Sequence, residues 1–184
     1  MSLERKILIK GNHESLLLDC LQRGYYYGYD CSNGTAQTII DLAPEAQTFD
    51  QACTIAYSRI KDFVYSMVDY FESENYIFVH SFIPLNRDDA SFDPDWRNAS
   101  YENWDEQARW GNPFALADQG LLPEKTLVFG HWHTSWARSY FNDQPEWGED
   151  ADFSPFYGDG YIGIDACTAY SGKVNVIVLE DNFL

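Results

Sequence analysis

Positive charge is scarce in this chain of 184 residues. Lysine and arginine number 12 against 29 aspartates and glutamates, which gives a formal net charge of −17 at pH 7. This balance argues against nucleic acid or an anionic membrane surface as a partner, because both repel an acidic protein. An acidic protein can still bind phosphate if bound cations reverse the local field. The composition therefore directs attention to metal ions.

Long apolar runs and paired cysteines are also lacking. No stretch reaches the roughly 20 apolar residues that span a bilayer, and the apolar run near the start is too short for a signal peptide. The four cysteines include no Cys-x-x-Cys pair, which argues against a zinc ribbon or a disulfide scaffold. We therefore expect a cytoplasmic protein with reduced thiols and no membrane partner.

The apolar patterns predict an α/β protein with a single domain over residues 1–184. With 45% hydrophobic residues, the chain can bury a substantial core. The patterns predict strands at 6–10, 76–79 and 126–129, helices at 14–23 and 49–74, and a closing hairpin of strands 161–165 and 173–179. We interpret residues 84–125 as an irregular insertion with a short helix around 101–110.

The four histidines all follow short apolar runs. They lie in the motifs Gly11-Asn12-His13-Glu14, Val79-His80-Ser81 and Gly130-His131-Trp132-His133-Thr134. Imidazole is the commonest transition-metal ligand and the side chain that titrates nearest neutral pH. If each run is a strand of one sheet, the motifs gather at one edge of that sheet. The pattern indicates a metal site.

Each motif also has a simpler interpretation. Asn12 could be the N-cap of a helix, and a lone histidine at a strand end, such as His80, is more often structural. His131 and His133 in an extended segment would point to the same side, with Gly130 allowing a tight turn. Alternatively, they are surface histidines that flank a core tryptophan. The three motifs together are more specific than any one of them, which favours the metal site.

In this order, the motifs resemble the later signature blocks of calcineurin-like metallophosphoesterases. The nearest subgroup is that of phosphoprotein serine/threonine phosphatases and symmetrical diadenosine-tetraphosphate hydrolases. The segment from Gly163 to Val174 is similar to the closing hairpin of that subgroup, and the resemblance covers about residues 7–180, with little from 84–125 and 141–160. It implies a layered α-β-β-α sandwich and hydrolysis of a phosphorylated small molecule or phosphoprotein by metal-activated water.

The resemblance also implies a ligand set for two divalent ions, for which manganese, iron and zinc are all suitable. Asn12, His80 and His131 would ligate one ion, and His133 would ligate the other. The family's Asp-x-His and Gly-Asp-x-x-Asp blocks lie upstream of these motifs, and the residues before Gly11 contain neither. Those blocks would supply most ligands of the ion that His133 would ligate. We therefore expect one metal ion here instead of two, and weak activity.

Three further roles follow from the same motifs and the insertion. The resemblance implies that His13 donates a proton to the leaving alkoxide and that Glu14 orients His13. Arg109, beside Trp110 in the aromatic insertion, is a candidate contact for the substrate. We expect these residues to complete the site around the metal.

The lack of the two upstream blocks has three competing explanations. The chain is an N-terminally truncated enzyme, a degenerate binding module, or a part that a second chain completes. We favour truncation, because a decayed enzyme would have little reason to keep all four histidines. A sheet without the missing strands would expose an edge, which predicts a homo-oligomer formed through that edge.

Other function classes are also open. The main alternative is a non-catalytic module that binds a metal or a protein. An amidohydrolase-type enzyme would want its His-x-His motif early, whereas here it is the last histidine motif. A zinc protease would need a second histidine at position 17, where the chain has Leu17.

Overall fold

The computed structural model describes residues 6–181 and shows a mixed α/β protein, which confirms the predicted class. The chain divides into two compact units, Met1–Val68 and Asp69–Leu184. The first is mainly helical, and the second holds the sheet. The cysteines at 20, 31, 53 and 167 are all free thiols. A single domain over 1–184 stays a prediction.

Within residues 6–68, four helices build the first unit: α1 (Asn12–Arg23), α2 (Gly28–Ser32), α3 (Thr35–Leu42) and α4 (Phe49–Tyr65). Helix α1 ends where predicted, because Gly24 takes a left-handed conformation (φ 76°) and donates its amide to the Cys20 carbonyl. The Thr48 side chain caps α4 by accepting from the Gln51 amide. Apolar faces of α1, α3 and α4 form the core of this unit, with Cys20, Ile39, Ala52, Cys53 and Ala56.

The predicted buried strand at residues 6–10 is wrong for the described structure. Ile9 forms only an isolated parallel bridge with Val68, and Ile7 and Leu8 are exposed. Within residues 6–181, Val68 is the one bridge partner of this segment. A single bridge cannot cover two faces of a strand, so the apolar side chains at 7 and 8 stay in solvent.

Over residues 69–181, a five-stranded mixed sheet organises the second unit. Its strands are β1 (Tyr70–Glu72), β2 (Tyr76–Val79), β3 (Thr126–Phe129), β4 (Phe156–Gly158) and β5 (Tyr161–Gly163), in the order β1-β2-β3-β5-β4. Strands β2, β3 and β5 run parallel, and β1 and β4 pair antiparallel at the edges. Helix α7 (Thr134–Asn142) lies between β3 and β5 in the chain. Because β2 and β3 are adjacent and parallel, their carboxyl ends are neighbours.

The expected helix at 49–74 is too long. Helix α4 stops at Tyr65, and Tyr70–Glu72 instead forms β1, which pairs with Ile77–Val79 across a short turn. Aromatic residues such as Tyr70 favour a pleated, half-buried surface. The tyrosine ring packs against Trp96 and Trp104 of the insertion, with centroids 5.0 and 5.5 Å away. Packing on the sheet therefore overrides the helical pattern.

The insertion is packed onto the core. It holds a 3₁₀ turn (Trp96–Asn98), α5 (Tyr101–Asn103) running into a π-helical turn (Trp104–Ala108), and α6 (Pro113–Asp118). The helical segment expected around 101–110 is confirmed. Trp96, Trp104 and Phe114 belong to the same core cluster as Ile77 and Leu127 of the sheet.

The predicted closing hairpin is wrong in its pairing. Strand β5 pairs with β4, which precedes it, and residues Thr168–Ser171 form a short helix, α8. Positive φ angles at Cys167 (48°) and Gly172 (67°) flank α8 and turn the chain on either side of it. Both edges of β5 are occupied, one by β3 and the other by β4, so the segment after Gly172 does not pair with it.

Candidate metal centre

The adjacent ends of β2 and β3 bring His80 and His131 together. The Gly130 amide donates to the His80 carbonyl at 2.9 Å, which joins the two strand ends. Beyond this bond the two imidazoles face each other, with 3.1 Å between His80 Nε2 and His131 Nδ1 and 4.8 Å between ring centroids. Both residues are half-buried. The predicted proximity of these two histidines is confirmed.

The spacing of the two nitrogens suits a shared cation. Two nitrogens bound at 2.0–2.1 Å with an angle of about 90–109° at the metal lie about 2.9–3.4 Å apart. The observed 3.1 Å falls inside that interval. A hydrogen bond between neutral rings has the same spacing, with the donor set by the tautomers. Within residues 6–181, no group of three or more His, Cys, Asp and Glu side chains is arranged for a metal.

His131 has an unusual backbone. Its φ is 65°, and the Trp132 amide donates to the Gly130 carbonyl at 2.7 Å, which closes a γ-turn around His131. The expected extended His-x-His segment is therefore wrong, and so is the tight-turn role expected of Gly130, since the positive φ falls on His131. A side chain in this region costs about 1–3 kcal/mol, and such strain concentrates at functional sites.

His133 lies two residues away and has a structural role. It is the N-cap of α7: its Nδ1 accepts from the Trp136 amide at 3.2 Å and lies 2.9 Å from Ser135 Oγ. Its Nε2 lies 3.5 Å from a Glu146 carboxylate oxygen, and its ring packs 4.6 Å from that of Trp147. His131 and His133 thus contact different residues, so the expected shared orientation is not observed. Metal ligation by His133 stays a prediction.

Burial lowers the pKa of His133 below its ordinary value, and the nearby carboxylates of Glu146 and Asp165 only oppose that effect. The ring is therefore neutral at pH 7, as its role as a capping acceptor requires. Asp165 is a turn residue, because its carboxylate accepts from the Cys167 amide at 2.7 Å and its carbonyl accepts from the Thr134 amide at 2.9 Å.

The Gly-Asn-His-Glu motif begins α1 in the first unit. Gly11, and not Asn12, is the N-cap, and Asn12 is buried as the first helical residue. A Glu14 carboxylate oxygen accepts from the Gly11 amide at 2.7 Å, so this side chain satisfies the start of the helix. His13 is exposed and lines a cavity of about 160 Å³ together with Leu17 and residues of the α2–α3 turn. The roles predicted for Asn12, His13 and Glu14 stay predictions.

Arg109 does not face solvent as a substrate contact would. Its side chain is 2% exposed and forms ion pairs with Asp69 and Asp105. The neighbouring Trp110 is exposed, and its ring centroid lies 6.5 Å from that of His131. Trp110 is therefore the insertion residue beside the histidine pair, and Arg109 holds the insertion to the start of β1.

The partners of His133 escaped sequence reasoning. Glu146 and Trp147 lie in an acidic loop with no periodic pattern, and only the Asp-Gln-Pro-Glu-Trp composition marks them as turn-rich. A capping role at position 133 was also hidden, since histidine is not among the preferred N-cap residues.

Comparisons with known proteins add no relative. No protein-family model matches the chain, and no match was found among curated proteins or solved structures. Within residues 6–181, none of the helices combines the length and apolar character that a bilayer crossing requires.

Proposed function

We propose that this chain is a weakly active, metal-dependent phosphoester hydrolase domain in which His80 and His131 hold a divalent cation. The observation that carries the proposal is the 3.1 Å approach of His80 Nε2 and His131 Nδ1 at the neighbouring carboxyl ends of β2 and β3. Ligands commonly bind at this edge of a parallel sheet. The finer α-β-β-α arrangement of metallophosphoesterases belongs to the same proposal.

His80 and His131 would hold the divalent cation, and the cation would supply a water of lowered pKa for hydrolysis of the phosphoester. The chain's own part is to present two imidazole nitrogens at fixed separation. The γ-turn fixes the backbone that carries the His131 ring, and the Gly130–His80 hydrogen bond fixes the strand ends. Trp110 supplies an apolar wall beside the pair.

Electrostatics supports a cation at this position. A phosphoester anion is repelled by a chain with a formal charge of −17 unless a local positive charge reverses the field. Arg109 cannot provide that charge while it is buried between Asp69 and Asp105. A cation on His80 and His131 would provide it.

Weak activity follows from the small number of ligands. Catalytic zinc sites usually have three protein ligands and an open position. The His80–His131 pair offers two nitrogens, and within residues 6–181 no group of three or more His, Cys, Asp and Glu side chains is arranged to hold a metal. We therefore expect a loosely held ion and slow turnover.

A non-catalytic metal-binding module is the second candidate. This candidate is favoured because two residues expected in the catalytic site have structural contacts instead. His133 caps α7, and Arg109 pairs with two carboxylates. In that case the histidine pair binds a metal without turnover.

Metal content and turnover measured together test both candidates. The purified chain, stripped by a chelator, is incubated with Mn²⁺, Fe²⁺ or Zn²⁺, and bound metal and hydrolysis of para-nitrophenyl phosphate are measured. We expect about one ion per chain, slow hydrolysis that follows the bound metal, and loss of both in His80→Ala. His133→Asn is the matched control, because asparagine preserves a capping acceptor.

Each other outcome has a definite meaning. Bound metal without hydrolysis selects the binding module. No bound metal in the wild-type chain contradicts both candidates. Rapid metal-dependent hydrolysis contradicts the prediction of weak activity.

A further inference from the structure

Residues 173–181 lie outside the helices and strands of the described structure, and their exposure alternates along the chain. Val174, Val176 and Val178 are 73%, 82% and 91% exposed, the highest values among the large apolar residues of the described chain. Between them Asn175, Ile177 and Leu179 are partly buried. A period of two is that of a β-strand with one face covered. The valines form the uncovered face, which we call the valine strip.

Side chains fix both ends of this segment. The Asn175 amide donates to the carbonyls of Phe153 (2.7 Å) and Ile164 (3.2 Å). At the other end, Asp181 accepts from the backbone and side-chain amides of Asn75 at 3.1 and 2.8 Å. The segment is therefore held in place, and the exposure of the strip is not that of a loose end.

Within the described part of the chain, the backbone of the strip forms no hydrogen bond with another backbone segment. Within residues 6–181, none of the backbone–backbone hydrogen bonds involves residues 174–180, and the segment belongs to none of the five strands. A segment with β-branched side chains and with unpaired backbone amides and carbonyls is a template for adding another strand. The strip thus has both the apolar surface and the hydrogen-bonding groups of an interface.

We propose that the valine strip pairs with the same strip of a second copy of this chain, antiparallel and about a two-fold axis at Val176. This register sets Val174 of each copy opposite Val178 of the other and keeps all the valines on one face. The inference goes beyond the proposed function and does not depend on a metal.

Charge favours a second copy at this place. Residues 174–179 carry no charge in a chain with a formal charge of −17. Two such chains repel least where uncharged surfaces meet. Salt at physiological strength screens the repulsion between charges that lie more than about 8 Å apart. The strip is therefore where self-association is least opposed.

Sedimentation equilibrium over a range of concentrations tests the proposal. We expect a dimer for the wild-type chain, and Val176→Lys should weaken it at least about tenfold, because two lysines would face each other at the axis. Gln119→Lys is the control, since it adds the same charge at an exposed position outside the strip. Circular dichroism establishes that each variant is folded, which is expected because Val176 is exposed.

Amide hydrogen exchange gives a second readout. Alternate amides within residues 174–178, those that point at the second copy, should exchange more slowly at concentrations where the wild-type chain is dimeric than where it is monomeric. A wild-type chain that stays monomeric at all concentrations overturns the proposal. A dimer that survives Val176→Lys unchanged, or one without slowed exchange at 174–178, overturns it equally.

Discussion

His131 and His133 are two residues apart, yet the fold employs them differently. His133 is explained by local structure: it caps α7, approaches Glu146 and packs on Trp147. His131 occupies a strained γ-turn and directs its ring to His80. A residue whose conformation costs free energy without building secondary structure is the better candidate for function. The difference separates a structural histidine from a candidate ligand within one motif.

The largest expected effect is on metal affinity. His131→Ala should raise the dissociation constant for Zn²⁺ or Mn²⁺ by about 100-fold or more, because one of two ligands is lost. His133→Asn should change it by less than about threefold, since no described contact joins His133 to the pair. Isothermal titration calorimetry on chelator-treated protein measures both constants. Equal losses in the two variants would remove the distinction between the histidines.

Acid unfolding separates the contribution of a carboxylate to stability from that of the histidines. The carboxylate is Glu72, in the same unit as both histidines. Hydrogen bonds from Arg97, with Lys125 assisting, lower the pKa of Glu72 from 4.5 to about 2. Its stabilising contribution is present above the unfolded pKa and is lost as pH falls from 4.5 toward 2, because the unfolded chain then binds the proton more readily.

The matched variant for that titration is Glu72→Gln. At pH 7 it should lower the free energy of unfolding by about 1–3 kcal/mol, and the deficit should vanish near pH 2. Denaturant unfolding at several pH values measures it. A deficit that changes instead between pH 5 and 7, where histidines titrate, would contradict this assignment.

Loss of the helix cap should have a smaller effect. His133→Ala removes the acceptor for the Trp136 amide and should lower the free energy of unfolding by about 0.5–2 kcal/mol. His133→Asn should recover most of it. If alanine and asparagine are equally destabilising, the cap contributes nothing and packing on Trp147 is the role of His133.

The smallest expected effect concerns backbone strain. His131→Gly should be more stable than His131→Ala by about 1 kcal/mol, because glycine adopts φ 65° without steric penalty. The same pair of substitutions at position 133, where φ is −67°, should favour alanine or show no difference. Thermal unfolding in chelator compares the four variants. No gain from glycine at 131 would mean that His131 is unstrained.

The part of the site that followed from sequence is the meeting of His80 and His131. Both follow apolar strands, and parallel strands bring their carboxyl ends together, so the pattern was sufficient. The positive φ of His131 was not visible, because only a few per cent of non-glycine residues adopt such a conformation. The burial of Arg109 was not visible either. Its partner Asp69 lies 40 positions away in the chain, and no local sequence pattern indicates their ion pair.

The fold shows the same division. Helix α1 and its Gly24 stop follow from local chemistry, as do the buried strands β2 and β3. The end of α4 and the pairing of β5 with β4 depend on residues distant in the chain. Trp104 stacks on Tyr70 just after α4. Cys167, with a positive φ, changes the direction of the chain after β5. Local propensity is a weak guide where such partners decide.

The most direct test of the central claim is a titration of chelator-treated protein with Zn²⁺, followed by ring-nitrogen NMR of the histidines. If His80 and His131 hold the cation, the resonances of His80 Nε2 and His131 Nδ1 move together and saturate at about one equivalent, while those of His133 stay in place. Unchanged resonances at His80 and His131, or an equal shift at His133, would contradict the claim.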